Sequence, residues 1–283
     1  PTLSKGPADM PKIVVTSDLH LGITSVQRLR ALVEQIRQER PDLTVLAGDI
    51  GEPLNNFAAC LDQFRDLPGA VAVLAGNHDV WATGGHHSQP LWERELPRAT
   101  RDAGMLWLEE DTWRQDGLAV LGSLAWYDYS AVDPELFAFP AEYFAAHKAR
   151  FNLDARWVDW PWSDGEYAQT LGDGLCERLA RAQEDAAVRA IVVVTHVPLF
   201  EAQMCRKPGD RHWGFSNAYF GNLTLGRRVL GASKLCHVIS GHTHIGRAAL
   251  VARPQFPTLP PLPAVVVPSE YEDPAYVAVE VTP

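Results

Sequence analysis

Cysteine is scarce and unpatterned in this chain. The four present in 283 residues, Cys60, Cys176, Cys205 and Cys236, show no C-x-x-C spacing and no close pairs. That excludes a disulfide scaffold and predicts buried thiols in a reducing compartment. Positive charge is in deficit, with 25 Lys+Arg against 35 Asp+Glu and a net charge of −10. A body this acidic repels polyanions, so broad binding to DNA, RNA or an anionic membrane is not expected, although a local basic pocket is compatible with it. No stretch approaches the roughly 18 apolar residues of a membrane-crossing helix, and Pro1 to Lys12 has no apolar core of signal-peptide length. A soluble, cytoplasmic protein is the expectation. Gly and Pro together make only 42 of 283 residues, a globular composition that excludes collagen-like, coiled-coil and disordered readings, and no internal repeat is visible.

What is present is a globular composition long enough to bury a sizeable core, read as a single domain over residues 1–283. Short apolar, β-branched runs recur at Ile13–Thr16, Leu43–Ala47, Val71–Ala75, Leu118–Leu121, Ile191–Thr195, His237–Ser240, Ala264–Val267 and Tyr276–Val281. Most are bounded by Gly, Asp or Pro and read as buried strands. Between the early ones lie amphipathic helices. Val26, Leu29, Val33 and Ile36 share one face, with Ser25 as N-cap and Pro41 beyond the end, and Phe57, Leu61 and Phe64 repeat the pattern. The alternation predicts an α/β fold, with a mixed or second sheet from the more closely spaced later strands. Residues 126–174 carry many aromatics and no clean strand. They read either as a helical excursion packed on the core or as a cap over a pocket. Pro254–Pro263, with five prolines, reads as an extended connector.

Five of the runs end in residues that bind metals. They lead into Ser17-Asp18-Leu19-His20, Gly48-Asp49, Gly76-Asn77-His78-Asp79, His196, and Gly241-His242-Thr243-His244. The crevice outside the carboxyl ends of parallel strands is where sites form, so five parallel neighbours would bring all of these together. Asp18 and His20 are two apart, as are His242 and His244, which in extended backbone aims each pair to one side. Gly48, Gly76 and Gly241 allow a sharp turn or close approach just before ligand positions. Carboxylates, imidazoles and one amide, with no thiolate, suit Mn²⁺, Fe or Zn²⁺ better than Ca²⁺ or Mg²⁺, and make a structural zinc site a poor fit.

This ordered set resembles the calcineurin-like metallophosphoesterase superfamily. The resemblance implies a four-layer αββα sandwich, two mixed β-sheets flanked by helices, with two metal ions at one sheet edge. It implies that Asp18, His20 and His244 hold one ion, that Asn77, His196 and His242 hold the other, and that Asp49 bridges them. Mn²⁺ or Fe is the favoured metal. His78 is implied to lie beside the ions unliganded. Two ions about 3.5–4 Å apart would clamp an in-line displacement, with a bound water attacking phosphorus as hydroxide. His78 would hydrogen-bond the phosphoryl oxygen or protonate the leaving alcohol, with Asp79 a candidate to orient it.

Departures from particular branches narrow the class. Protein Ser/Thr phosphatases carry an Arg shortly after G-D and a Glu after N-H, whereas here Ile50-Gly51-Glu52 follows Asp49 and Asp79 follows His78. Purple acid phosphatases have Gly at the first His position and a Tyr three residues after the Asp, whereas here stand His20 and Glu52. Repair nucleases share the look of Asp18 to Gly22 but add a DNA-binding region that the acidic composition and the short stretch after His244 do not suggest. A small-molecule phosphoester substrate remains. Phosphodiesters, cyclic nucleotides included, are favoured over monoesters because the protein-phosphatase arginine is missing and the aromatic segment could stack an organic group. Phosphomonoester hydrolysis is the alternative. A non-catalytic binding scaffold on the same fold is the reading from another class, and the intact ligand set argues against it. The sequence leaves the oligomeric state open. Arg206, Lys207, Arg211 and His212 could supply phosphate contacts or form a solvated loop. His86 and His87 could border the pocket or lie in a plain turn. Cys236 and His237 read as core.

Overall fold

The computed structural model describes residues 10–283, so most of the stretch Pro1 to Lys12 read in the sequence lies outside the described residues. Each predicted run forms a strand, with ends shifted by at most two residues. The five-stranded sheet has the order β11-β1-β2-β3-β4, from Tyr276–Glu280 (β11), Lys12–Thr16 (β1), Leu43–Ala47 (β2), Ala70–Leu74 (β3) and Leu106–Trp107 (β4). The six-stranded sheet has the order β5-β6-β7-β8-β10-β9. It is built from Trp113–Gln115 (β5), Leu118–Ser123 (β6), Ala190–Thr195 (β7), Leu235–Ser240 (β8), Leu262–Val266 (β10) and Arg247–Val251 (β9). The interior strands run parallel, and β11, β5 and β9 add antiparallel edges. The strands β4, β5 and β9 are not legible in the sequence. β4 and β5 are only two and three residues long, and the apolar stretch of β9, Ala248 to Val251, lies on an edge with most of its residues exposed or half-buried.

The alternation of side chains along a strand sorts the core into layers. Ile13, Val15, Leu43, Val45 and Leu74 face Val120, Val192, Val194 and Ile239 between the two sheets. The other faces of β1–β3, with Val14, Leu46 and Val73, bury against α1 (Val26–Glu39) and α2 (Leu54–Phe64) through Leu29, Leu32, Ile36, Phe57 and Leu61. Leu121, Val193 and Val238 bury against Leu175 and Leu179 of the helix Asp164–Glu184 and against Leu225 and Val229. Helix, sheet, sheet and helix are thus stacked as four layers. Strands covered on both faces are continuous apolar runs rather than alternating ones, which is why they were conspicuous in the sequence. Ser25 caps α1, its hydroxyl accepting from the Arg28 amide.

Residues 126–174 form short helices, Ala141–His147 and Asp154–Trp157, before the long helix begins at Asp164. Most of their aromatics turn inward, Phe137 being exposed. Trp126, Tyr127, Tyr129, Phe144, Trp160 and Tyr167 join the core over the five-stranded sheet. The proline-rich connector departs from expectation at its end, since Leu262 and Pro263 already belong to β10. The thiols depart as well. All four are free, but only Cys60 is fully buried, and Cys176, Cys205 and Cys236 are half-buried.

Candidate metal centre

Asp18 and His20 follow β1, Asp49 follows β2, Asn77 and His78 follow β3, His196 follows β7, and His242 and His244 follow β8. The crevice is therefore shared. Three motifs leave one sheet and two leave the other, which corrects the expectation of five neighbouring strands. Neighbouring loops are zipped together by backbone hydrogen bonds, from Asp18 N to Gly48 O at 2.9 Å, His20 N to Asp49 O at 2.8 Å, and Gly241 N to His196 O at 2.9 Å. The local geometry also differs from expectation. Asp18, His20, Asp49, His242 and His244 have φ values of 55°, 42°, 52°, 72° and 57°, so the pairs lie in left-handed rather than extended backbone. Asp and His tolerate that region better than most residues, and strain of this kind concentrates where geometry serves function. The glycines behave as expected. A Cβ on Gly48 (φ 87°) would lie 2.6 Å from both Gly76 N and His196 Nδ1, and one on Gly76 would overlap the Asp49 carboxylate.

The side chains gather into two groups joined by one carboxylate. Asp18, His20 and His244 offer ligand atoms within 4.8 Å of one another, as do Asp49, His196 and His242. Asn77 joins the second group, its Oδ1 lying 3.0 Å from both His196 Nε2 and His242 Nδ1. Asp49 Oδ2 lies 3.5 Å from His20 Nε2, and Asp49 Oδ1 lies 3.4 Å from His196 Nε2, so each oxygen faces one group.

The donors fit metal ions on several counts. His242 Nε2 donates to Tyr219 O at 2.9 Å. A carbonyl only accepts, so in the neutral ring Nδ1 carries a lone pair aimed at Asn77 Oδ1. Burial and the neighbouring His196 charge push His242 down to about 4, which keeps it neutral. His196 Nδ1 donates to Ala47 O at 2.9 Å. Burial disfavours its charge, but the Asp49 carboxylate outweighs burial and raises it to about 9. A proton on Nε2 thus stands where a cation would go. Both ring nitrogens of His20 and the Nδ1 of His244 are buried with no hydrogen-bond partner. Buried acceptors and orphaned imidazoles converging on one spot are the pattern a bound cation resolves.

His78 stands at the mouth, its side chain 18% exposed. Its backbone N–H donates to Asp49 Oδ1 at 2.9 Å, and its ring stacks on Trp81 with centroids 3.7 Å apart. Nε2 lies 4.0 Å from Asp49 Oδ2, and Nδ1 lies 3.6 Å from Glu52 Oε1. Burial opposes charge on this ring, yet Asp49, Glu52 and Asp154 overcome it and raise His78 to about 9. Asp79 does not orient His78. Its carboxylate accepts from the amides of Ile50 (2.9 Å), Gly51 (3.1 Å) and Gly76 (2.8 Å), stapling the loops after β2 and β3. Burial and the Asp49 charge raise Asp79 to about 7.

Three neighbours of the centre were not singled out from the sequence. Glu52 lies beside His20 and His78. Its place three residues after Asp49 was visible, but its partner was not. Tyr271 packs its ring 4.9 Å from His20 and 4.7 Å from His244. Asp154, from the aromatic segment, accepts a hydrogen bond from Asn77 Nδ2 at 2.9 Å. No spacing rule marks the last two. The secondary candidates have other partners. Arg206 pairs with Asp133 and Glu201, Lys207 lies over Trp213, and the His212 ring packs near Phe151. Arg211 begins a short helix on the surface. His86 pairs with Glu95 and His87 with Asp159, so this is a latched turn rather than a pocket wall. Cys236 packs on the core between the sheets, whereas His237 is half-buried with Nδ1 unpartnered.

No curated protein matches the chain significantly. Among solved structures it is similar to a phosphopantetheinyl hydrolase from Mycobacterium tuberculosis, with 19% identity, 95% of this chain and 96% of that one covered, and a TM-score of 0.67. It is also similar to a dimetal phosphatase from Danio rerio, at 15% identity, coverages of 96% and 93%, and a TM-score of 0.54. A protein from Thermus thermophilus matches at 13% identity, coverages of 91% and 88%, and a TM-score of 0.52. These likenesses establish the shared fold. The sequence pattern of the calcineurin-like phosphoesterases matches residues 11–246, the span that carries every strand-end motif described above, so the chain belongs to that family and is a phosphoester hydrolase.

Proposed function

We propose that the protein hydrolyses small-molecule phosphodiesters at a dinuclear metal centre. Asp18, His20 and His244 would hold one ion, Asn77, His196 and His242 the other, and Asp49 both. Mn²⁺ or Fe is favoured by the mixed oxygen and nitrogen donors. Two ions here would supply charge stabilisation for the transferring phosphoryl group and an activated water. His78 holds a proton at Nε2 while Glu52 faces Nδ1, so the ring is set to donate to a phosphoryl oxygen or to the leaving alkoxide. Because the centre takes side chains from both sheets, the two sheets are read as one domain. The four thiols, none in a disulfide, suit a reducing cytoplasmic setting. The net charge of −10 disfavours polyanionic nucleic acid.

One observation carries the preference for diesters. Among the described residues, no Lys or Arg hydrogen-bonds or ion-pairs with any of the eight site residues, and Arg206, Lys207 and Lys148 are engaged elsewhere. A monoester approaches its second ionisation near neutral pH and rewards an added cation, whereas a diester carries one charge. The inward-facing aromatics no longer support base stacking. The Mycobacterium tuberculosis neighbour is named a phosphopantetheinyl hydrolase, so a phosphopantetheinyl ester joins the test panel. Mn²⁺-loaded protein assayed on bis(p-nitrophenyl) phosphate and p-nitrophenyl phosphate side by side should favour the diester. Preference for the monoester would make this a phosphatase. Two bound metals with turnover of neither ester, and a protein partner recovered by pull-down, would restore the scaffold reading.

A further inference from the structure

We propose that Asp154 is a positioning residue for the metal centre, fixing the Asn77 amide with its oxygen inward and bracing His78 through Trp81. Asp154 is 1% exposed and opens the short helix Asp154–Trp157 inside the aromatic segment. Its Oδ1 accepts from Asn77 Nδ2 at 2.9 Å and from Trp81 Nε1 at 2.7 Å, and its Oδ2 accepts from the Tyr127 hydroxyl at 2.8 Å. Among the described residues, no Lys or Arg pairs with it. Lys148, nearby in sequence, pairs with Asp164.

The two ends of an amide side chain have nearly the same shape, and nothing in the Asn77 side chain itself chooses between them. If the amide turned over, its NH₂ would face His196 Nε2 and His242 Nδ1, where a cation is to bind. Asp154 Oδ1 already accepts from the Trp81 indole, which can only donate, so this oxygen faces Asn77 as an acceptor and selects the orientation with Nδ2 outward. The same oxygen holds the Trp81 indole, whose ring lies 3.7 Å from that of His78. The aromatic segment would thereby act on the centre from behind, through an ordered core, rather than over the substrate as a lid.

The inference rests on the reading of Asn77 as a ligand, and the test separates the two. Mn²⁺ titration by calorimetry, with electron paramagnetic resonance of the coupled ion pair, would compare wild type with four variants. Asn77→Ala tests the ligand reading alone. If it keeps both affinities, that reading fails and the inference goes with it. If it weakens one ion, Asp154→Ala should weaken the same ion by about 10–100-fold, the usual effect of removing the partner of a ligand. Asp154→Asn should recover most of that loss, because its oxygen can still accept from Asn77 and Trp81 while its NH₂ faces the Tyr127 oxygen. Tyr127→Phe, which loosens the same layer without touching Asn77, should keep both ions. Unchanged affinities in Asp154→Ala, or equal losses in Tyr127→Phe, would overturn the proposal. Should Asp154→Ala fail to fold, nitrogen-15 spectra of zinc-loaded wild type decide. The Asn77 Nδ2 protons, assigned by their loss in Asn77→Ala, should be protected from solvent exchange, and free exchange would refute the anchor.

Discussion

On the Asn77 side of the centre every candidate ligand has its far atom fastened to the protein. His196 donates to Ala47 O, His242 to Tyr219 O, and Asn77 to Asp154. On the other side Asp18 is held, accepting from Ser17 Oγ at 2.5 Å and from the His242 amide at 3.0 Å. Its two imidazoles are not. Both nitrogens of His20 and the Nδ1 of His244 lack hydrogen bonds, and the rings rest on each other at 5.3 Å and on Tyr271. Hydrogen bonds fix a ring's tautomer and rotation, whereas aromatic packing constrains mainly its plane. One half is preorganised by polar bonds and the other by contact, and the two should bind metal differently.

The largest effect should come from the residue common to both halves. Asp49→Ala should lose both ions by metal analysis, with activity falling on the order of 10³-fold or more, since several kcal/mol of charge stabilisation disappear. A variant retaining two ions would break the picture of a shared carboxylate. His78→Ala belongs to neither half. It should keep both ions while kcat falls by about 10²–10⁴-fold, and loss of metal would make it a ligand. Between the halves, stepwise chelation should release the ion beside His20 first, with affinities about tenfold or more apart. His242→Ala and His20→Ala identify which ion is which, and release in the opposite order would reverse the comparison. A smaller effect is expected from Tyr271→Ala, a few-fold weakening confined to the looser ion.

A last expected effect is one of pH, and it is read in stability rather than in metal binding. Burial raises Glu109 to about 7, against the pull of Arg178 and the hydrogen bonds from Leu124, Ser123 and Ala75. Oε1 accepts from Leu124 N at 2.6 Å, just past the end of β6. In the fold this carboxyl keeps its proton from about pH 4.5 to about pH 7, where the unfolded chain has lost it. Its contribution is therefore fully present below the lower value and is lost as pH rises through the upper one. Thermal melts in chelator should fall across that window by the equivalent of about 3 kcal/mol at most, and Glu109→Gln should flatten the slope. A slope unchanged in the variant would place the titration elsewhere.

The fastened half also shows where sequence reading stops. Asn77, His196 and His242 were legible because each follows a doubly buried strand whose apolar run points straight at it. Asp154 was not, because its contact spans 77 residues and its neighbours Leu153 and Ala155 form no pattern. The aromatic richness around it drew attention to side chains that merely fill the core. Glu52 stood in plain view, but choosing it over Asp79 as the neighbour of the His78 ring required knowing that Asp79 is consumed by three backbone amides. The left-handed backbone at five site residues is equally invisible, since Asp and His are common in many conformations.

Strand β1, which delivers Asp18 and His20, is bordered on its free edge by β11, and the Thr16 hydroxyl donates to Ala275 O, 259 positions away. For a chain emerging from a ribosome this sets an order of events. The earliest donors are made first but wait, with one edge of their strand open, while more than two hundred residues are added. Tyr271 and β11 come last and close both the sheet and the ring stack over His20. Pairing across such sequence distances is slow to form. The finished candidate metal centre is thus a product of late folding, and a polypeptide interrupted near its end would present half a centre and an unpaired strand edge together.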